Sequence, residues 1–249
     1  MNSLNNISSK TKGMILAAGL GTRLKPFTNK HPKALAVVNN KTLLQHNIEY
    51  LQQYGIKNVI VNVHHFAQQI ICAIEKNNGW GSNITISNET SEVLETGGGL
   101  KKASWFFNDD FVLMNVDILT DLNLSKMFAQ HEQNKPLATL AVTDRTSSRY
   151  FLFNDEQKLC GWKNVKTGEQ KIMRTAETLT AKAFSGIHII SPKIFPLIKQ
   201  QGKFSMVEVY LSLCAKHSIQ HFNHSNSKFM DVGTVEKIAE AEKMFSSIS

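Results

Sequence analysis

The strongest constraint on the fold is an alternation, sustained from residue 12 almost to the C-terminal end, of short apolar runs with stretches of helical period. Lys12–Ala17 and Asn58–Val63 are aliphatic or β-branched runs of buried-strand length. Between them Leu43, Leu44, Ile48 and Leu51 fall on one helical face, and Gly55 is placed to stop that helix. Further helices are expected near Ala67–Lys76, Leu100–Phe107, Leu124–His131 and Met206–His217, with one opened by Pro192 and a last from about Val235. Strands are expected near Asn83–Ser87, Phe111–Val116, Leu137–Val142, Phe184–Ile190 and Ile219–His224. Strands that alternate with crossover helices predict an α/β fold, a mostly parallel sheet covered on both faces.

The rhythm breaks between Thr143 and Ala183. Tyr150–Phe153 and Leu159–Trp162 read as short strands joined by the Asn154–Lys158 turn, and Lys163–Thr180 is polar with weak periodicity. Residues 143–183 are therefore expected to form a small β flap on a single domain spanning 12–249. Residues 1–11 are polar and Asn/Ser-rich and lack an apolar signal core, so they are expected to be a disordered tail. No apolar run approaches the roughly 20 residues that span a bilayer. Cys72, Cys160 and Cys214 are isolated and odd in number, which suits buried thiols in a reducing cytoplasm. The formal charge is +8, but no Lys/Arg block is interleaved with aromatics. The expectation is a cytoplasmic protein with no nucleic-acid or membrane partner, as a monomer or small homo-oligomer.

The apolar run Met14–Ala17 leads into Ala18-Gly19-Leu20-Gly21-Thr22-Arg23-Leu24. In α/β sheets ligands sit beyond the carboxyl ends of strands. Glycines there let backbone N–H groups approach phosphate oxygens without Cβ interference, and Arg23 adds a fork of donors suited to phosphate. Lys33, set by Pro32, brings a second charge from just downstream. A dinucleotide fingerprint fails because Leu24 stands where a third glycine is needed, and no Gly-Lys-Ser/Thr follows to make a Walker loop.

The whole string Leu16-Ala-Ala-Gly-Leu-Gly-Thr-Arg-Leu-Lys-Pro-Phe-Thr-Asn-Lys-His-Pro-Lys-Ala-Leu35 resembles the signature of the sugar-1-phosphate nucleotidyltransferases. The resemblance continues through Glu95-Thr96-Gly97-Gly98-Gly99, Asn115-Val116-Asp117, Phe184-Ser185-Gly186-Ile187 and Asp231-Val232-Gly233-Thr234, and so covers nearly the whole chain. It implies a Rossmann-like, doubly wound core, in agreement with the rhythm of strands and helices. It also implies that Gly19, Gly21, Thr22, Arg23 and Lys33 hold a nucleoside triphosphate, with Arg23 and Lys33 acting in catalysis, Gly98 over the nucleoside and Glu89 a weaker contact to the base. By the same resemblance Glu95, Thr96, Gly97, Asn115, Gly186 and Glu208 would meet the sugar, and Asp117 and Asp231 would share a Mg²⁺. Two carboxylates at separate strand ends suit an octahedral ion that also takes phosphate oxygens.

The partners expected are thus a nucleoside triphosphate and a sugar-1-phosphate. Many members of the family carry a Glu-Lys-Pro segment whose lysine grips the sugar phosphate, and here the corresponding region reads Gly161-Trp-Lys-Asn-Val-Lys-Thr-Gly168, where Lys163 and Lys166 read first as solvated flap lysines and only second as substitutes. The short form with Glu-Thr-Gly-Gly-Gly is most similar to the N-acetylmuramate-1-phosphate uridylyltransferases. Proteins similar to mannose-1-phosphate guanylyltransferases come next, and cytidylyl transfer to phosphocholine is a third reading.

Overall fold

The computed structural model describes residues 7–246. Its first half contains β1 (Lys12–Leu16), β2 (Val37–Val38), β3 (Lys41–Thr42), α1 (Leu43–Gln53), β4 (Asn58–Val63), α2 (Ala67–Lys76), β5 (Asn83–Asn88), α3 (Glu95–Lys102), β6 (Phe111–Asn115) and β7 (Ile118–Thr120). The second half adds α4 (Leu124–Asn134), β8 (Ala138–Thr143), β9 (Arg149–Phe153), β10 (Leu159–Asn164), β11 (Gln170–Ile172), β12 (Thr180–Ile190), α5 (Met206–Leu213), β13 (Ile219–Asn223), β14 (Phe229–Asp231) and α6 (Val235–Met244).

The central strands lie in the order β5, β4, β1, β6, β12, β8, β13. β5, β4, β1 and β6 are mutually parallel, and β12 runs against both β6 and β8. β13 is parallel to β8, so six of these seven strands point one way and only β12 is reversed. From β1 the chain moves outward to β4 and β5, then returns to place β6 on the other side of β1. That reversal leaves a crevice at the carboxyl ends of β1 and β6, which is where such sheets take ligands. β9, β10 and β11 extend the first residues of β12 as the expected antiparallel flap.

Alternation along each strand separates two cores. Ile15, Val112 and Met114 face the layer of Leu44, Ile48, Leu51, Ile70 and Met127, while Met14, Leu16 and Leu113 face Leu100, Leu140 and Tyr210. Because both faces are covered, the strands read as continuous apolar runs. α1 starts where the Thr42 side chain accepts from the Gln45 N–H at 3.1 Å, which satisfies one of the free donors of the first turn.

Four sequence expectations change. The helix expected near Leu100–Phe107 begins at Glu95, so the glycine run lies inside the helix rather than ahead of it. The segment opened by Pro192 is a 3-10 helix over Pro192–Leu197, with Pro196 inside it denying a backbone donor to an α-helix. The tail expected over 1–11 is already packed by Ile7, which is buried in the first core, and Thr11 is buried too; residues 1–6 lie outside the described residues. Cys160 and Cys214 are buried, but Cys72 is exposed on α2, and none forms a disulfide.

Candidate active site

The loop after β1 is folded by contacts within itself. Gly21 adopts φ 62°, and a Cβ there would come within 2.9 Å of the Lys33 Cβ and 3.0 Å of the Thr28 Cγ2, so only glycine fits. The Thr28 hydroxyl donates to the Gly21 carbonyl at 3.0 Å, which ties the turn to the segment that delivers Lys33. At the strand end, the Ala17 and Ala18 N–H groups donate to Asn62 Oδ1 on β4 at 2.7 and 3.3 Å. The loop is therefore shaped before any ligand arrives, which lowers the entropy lost on binding.

β7 and β14 form a two-stranded ribbon in which Ile118 pairs with Asp231, and the Val232 N–H donates to the Asp117 carbonyl at 2.8 Å. This ribbon brings together carboxylates that lie far apart in the chain. Lys33, only 9% exposed, reaches Asp117 and forms an ion pair with it. Burial and the facing Asp117 raise the Asp231 carboxyl above its ordinary range, and Lys33, Arg23 and Arg145 offset part of that rise. Asp231 Oδ1 is buried with no hydrogen-bond partner. A buried carboxylate oxygen without a donor, beside a second carboxylate, fits a hard cation. Among the described residues no group of three or more His, Cys, Asp or Glu could hold an ion, so the remaining ligands would have to be phosphate or water. The guanidinium of Arg23 lies against Gly233, where an added Cβ would meet its Nη2 at 3.0 Å.

A cleft of about 530 Å³ opens above this cluster, at the crevice between β1 and β6. The structure brings Gly19, Gly21, Thr22, Arg23, Lys33, Glu95, Thr96, Asn115 and Asp117 to its wall. Asp231 lies just behind, on the ribbon. Gly186 takes φ 73° at an irregularity of β12, and a Cβ there would fall 2.7 Å from Asn115 Nδ2, so the glycine makes room for that amide.

Other expected residues stand elsewhere. Glu89 does not reach the cleft: it is fully buried, its Oε1 accepts from Asn62 Nδ2 at 2.8 Å, and its Oε2 faces the Leu94 N–H at 3.4 Å. Burial raises its carboxyl above the ordinary value, and the Asn62 and Leu94 bonds oppose that rise. Gly97 and Gly98 are buried inside α3, where added Cβ atoms would strike the Phe204 ring at 2.5 Å and the Gly202 carbonyl at 2.3 Å. Their N–H groups donate to the Phe204 carbonyl at 2.9 and 3.2 Å, so these glycines allow helix and loop to touch rather than a ligand to enter. Glu208 closes a capping box with Ser205 at the start of α5 and is not part of the cleft wall. Lys163 lies 5.7 Å from the Tyr150 ring centroid, and neither it nor Lys166 lines the cleft.

Three polar cleft residues escaped the sequence reading: Asn62, Lys203 and Ser205. Lys203 lies 3.6 Å from Glu95 across the cleft. The signal for Ser205 and against Glu208 was local, because Ser205-Met-Val-Glu208 before an apolar stretch is the capping-box pattern. Asn62 carried a weaker signal, an amide in the buried interior of an otherwise apolar strand.

A preformed phosphate turn at the switch point of a doubly wound sheet, beside a lysine and paired carboxylates, defines a phosphate-handling α/β protein. The chain belongs to the nucleotidyl transferase family, whose sequence profile matches residues 12–247. It is 32% identical over 231 residues to a D-glycero-alpha-D-manno-heptose 1-phosphate guanylyltransferase of Campylobacter jejuni, covering 90% of this chain and 96% of that one. A mannose-1-phosphate guanyltransferase of Yarrowia lipolytica is 30% identical over 227 residues, 89% of this chain, but the match spans only 60% of that protein's length. An N-acetylmuramate alpha-1-phosphate uridylyltransferase of Caulobacter vibrioides is 29% identical over 209 residues, covering 81% of this chain and 84% of that one. In fold, the chain superposes on HddC from Yersinia pseudotuberculosis, solved in complex with GMP-PN, with a TM-score of 0.75 at 24% identity, covering 94% of this chain and 99% of that one. Among the described residues no helix is long and apolar enough to cross a membrane.

Proposed function

We propose that the protein is a Mg²⁺-dependent sugar-1-phosphate nucleotidyltransferase. A phosphate oxygen of the sugar-1-phosphate attacks the α-phosphorus of a nucleoside triphosphate; the new P–O bond forms as the bond to pyrophosphate breaks. The observation that carries this is the cluster of Lys33, Asp117 and Asp231 beneath the Gly21 turn, with Asp231 Oδ1 buried and unpartnered. A bound Mg²⁺ would supply charge neutralisation on the phosphates and a template for the displacement. The Gly19–Gly21 turn and Arg23 bind the triphosphate, and Lys33 places a positive charge beside the developing negative charge. Glu95, Thr96 and Asn115, which line the cleft, would meet the sugar. No side chain need form a covalent intermediate, because positioning and charge stabilisation suffice for such a transfer.

The favoured substrates are UTP and N-acetylmuramate 1-phosphate. The likeness to the Caulobacter uridylyltransferase over most of both proteins supports this pair. GTP with a manno-configured sugar-1-phosphate is the second reading, favoured by the likeness to guanylyltransferases at 30 and 32% identity. The protein, incubated with Mg²⁺ and each pairing of UTP, GTP, CTP or dTTP with N-acetylmuramate, mannose, heptose or glucose 1-phosphate, is expected to release pyrophosphate fastest with the first pair. Release only from GTP pairs would move the assignment to the second reading. No pyrophosphate from any pair would end the nucleotidyltransferase reading.

A further inference from the structure

Arg145 belongs to no part of the signature, yet its surroundings resemble a receptor more than a surface. It stands two residues beyond β8, half-buried, beside the cleft wall rather than on it and close enough to Asp231 to act on that carboxyl's charge. Its Nη2 donates to the Phe184 carbonyl of β12 at 2.7 Å, and its Cζ lies 4.9 Å from the centre of the Phe229 ring. These contacts fix the plane of the guanidinium while using one of its five N–H donors. No carboxylate lies within 4.0 Å of it among the described residues.

The neighbouring Asp144 is committed elsewhere. It accepts from Lys182 at 2.5 Å, from the Ser225 hydroxyl at 2.9 Å and from Asn223 at 3.1 Å. That latch also holds the loop of residue 145 against β12 and the segment after β13. A half-buried guanidinium with four spare donors and no ion-pair partner is arranged for an anion that comes from outside the chain.

We propose that Arg145 binds the phosphate of the sugar-1-phosphate acceptor, on the opposite flank of the Asp117–Asp231 pair from Arg23. The sheet order supports this side. Arg23 and Lys33 arise from the loop after β1, whereas β8 and β12 lie on the other side of β6, the strand that leads to Asp117. Phe229, on which the guanidinium rests, is two residues before Asp231 on β14. In-line displacement puts the attacking and leaving oxygens on opposite sides of the α-phosphorus. The leaving pyrophosphate belongs to the Arg23 side, and the attacking phosphate to the side of Arg145. Phe184, which anchors Arg145, is two residues before Gly186, the residue that makes room for Asn115. The sugar and its 1-phosphate would thus meet neighbouring positions of one strand. This inference rests on the transfer reaction proposed above.

The test uses Arg145→Gln and Arg145→Lys in the full chain, assayed with whichever substrate pair the unmutated protein turns over fastest. Losing the guanidinium in Arg145→Gln is expected to lower kcat/KM for the sugar-1-phosphate roughly 10- to 100-fold, the range of a charge-assisted hydrogen bond. The KM for the nucleotide and the thermal shift produced by nucleotide with Mg²⁺ are expected to change by less than about twofold. Arg145→Lys is expected to recover part of the loss, because it keeps the charge but not the fork. A merely structural role in holding the Phe184 carbonyl would weaken both substrates alike, and that result in folded protein overturns the inference. So does an unchanged kcat/KM for the sugar-1-phosphate. Should Arg145→Gln fail to fold, the Lys variant decides by the same contrast between substrates. Absence of turnover by the unmutated protein removes the reaction and the inference with it, whereas loss confined to the acceptor arm in the variants leaves the reaction standing.

Discussion

Asp231 shows what the site costs at the scale of one residue. It is buried beside Asp117 with Oδ1 unpartnered, and burial raises its carboxyl above the ordinary range. A carboxyl raised in the folded state favours folding while neutral and opposes it once ionised, so at neutral pH the charge works against the fold. Asp231→Asn removes that charge at nearly constant volume and is expected to stabilise the ligand-free protein by about 0.5–2 kcal/mol, the size of a typical single stabilising change. Turnover is expected to fall about 10²- to 10³-fold with the loss of a group that stabilises transition-state charge. A thermal melt and a pyrophosphate assay on the same variant check both signs, and a lower melting temperature would mean that Asp231 is structurally satisfied. At this scale the signature loop was legible because Gly21 and Lys33 are close in the chain and touch each other. Glu89 was not, because its role depends on Asn62, in another strand and 27 positions away.

Among elements, α3 is where local sequence and final structure disagree most. Glycine is roughly 1 kcal/mol worse than alanine in a helix interior, so three in succession read as a loop. Tertiary contact overrides that preference: the Phe204 carbonyl takes the Gly97 and Gly98 N–H groups, and the Gly202 carbonyl lies where a residue-98 Cβ would go. Gly98→Ala must therefore push the loop of residues 202–205 away from α3. The expected cost is about 1–3 kcal/mol, as for other overpacked sites, read as a lower urea midpoint at unchanged slope. Because that loop carries Lys203 and Ser205 into the cleft, substrate KM values should rise as well. Glu208→Ala separates the capping role from a substrate role: loss of the box should cost about 1 kcal/mol with kcat and both KM values unchanged. A selective rise in the sugar-1-phosphate KM would return Glu208 to the binding site. The strands were far more legible than α3, since burial on both faces writes itself into composition, whereas a helix start set by a partner loop does not.

On the scale of the whole molecule, the two carboxylates and the phosphate turn come from different regions of the chain, joined through the sheet, the β7–β14 ribbon and the Lys33–Asp117 ion pair. Ligand binding should therefore be felt as global stability. With only two protein carboxylates at hand, Mg²⁺ alone has too few ligands to bind well, since it keeps several waters and relies on substrate phosphates. On the proposed function, the nucleotide alone would meet the Gly21 turn and Arg23 but leave the repulsion between Asp117 and Asp231 unrelieved. Together each supplies what the other lacks, so their stabilisation should exceed the sum of the separate effects. At 100 times Kd the expected gain is about 2.7 kcal/mol, and at about 2–4 °C per kcal/mol for a chain of this size the melting temperature should rise roughly 5–11 °C. Mg²⁺ without nucleotide should move it by no more than about 1 °C, and EDTA added to the ternary mixture should remove most of the shift. The same scan on Asp117→Asn should lose the cooperative excess while keeping the smaller nucleotide shift, because the phosphate turn is built by Gly21, Thr28 and Asn62 without that carboxylate. Additive shifts in the unmutated protein would mean that nucleotide and ion bind at separate places, and the cluster of Lys33, Asp117 and Asp231 would then need another explanation.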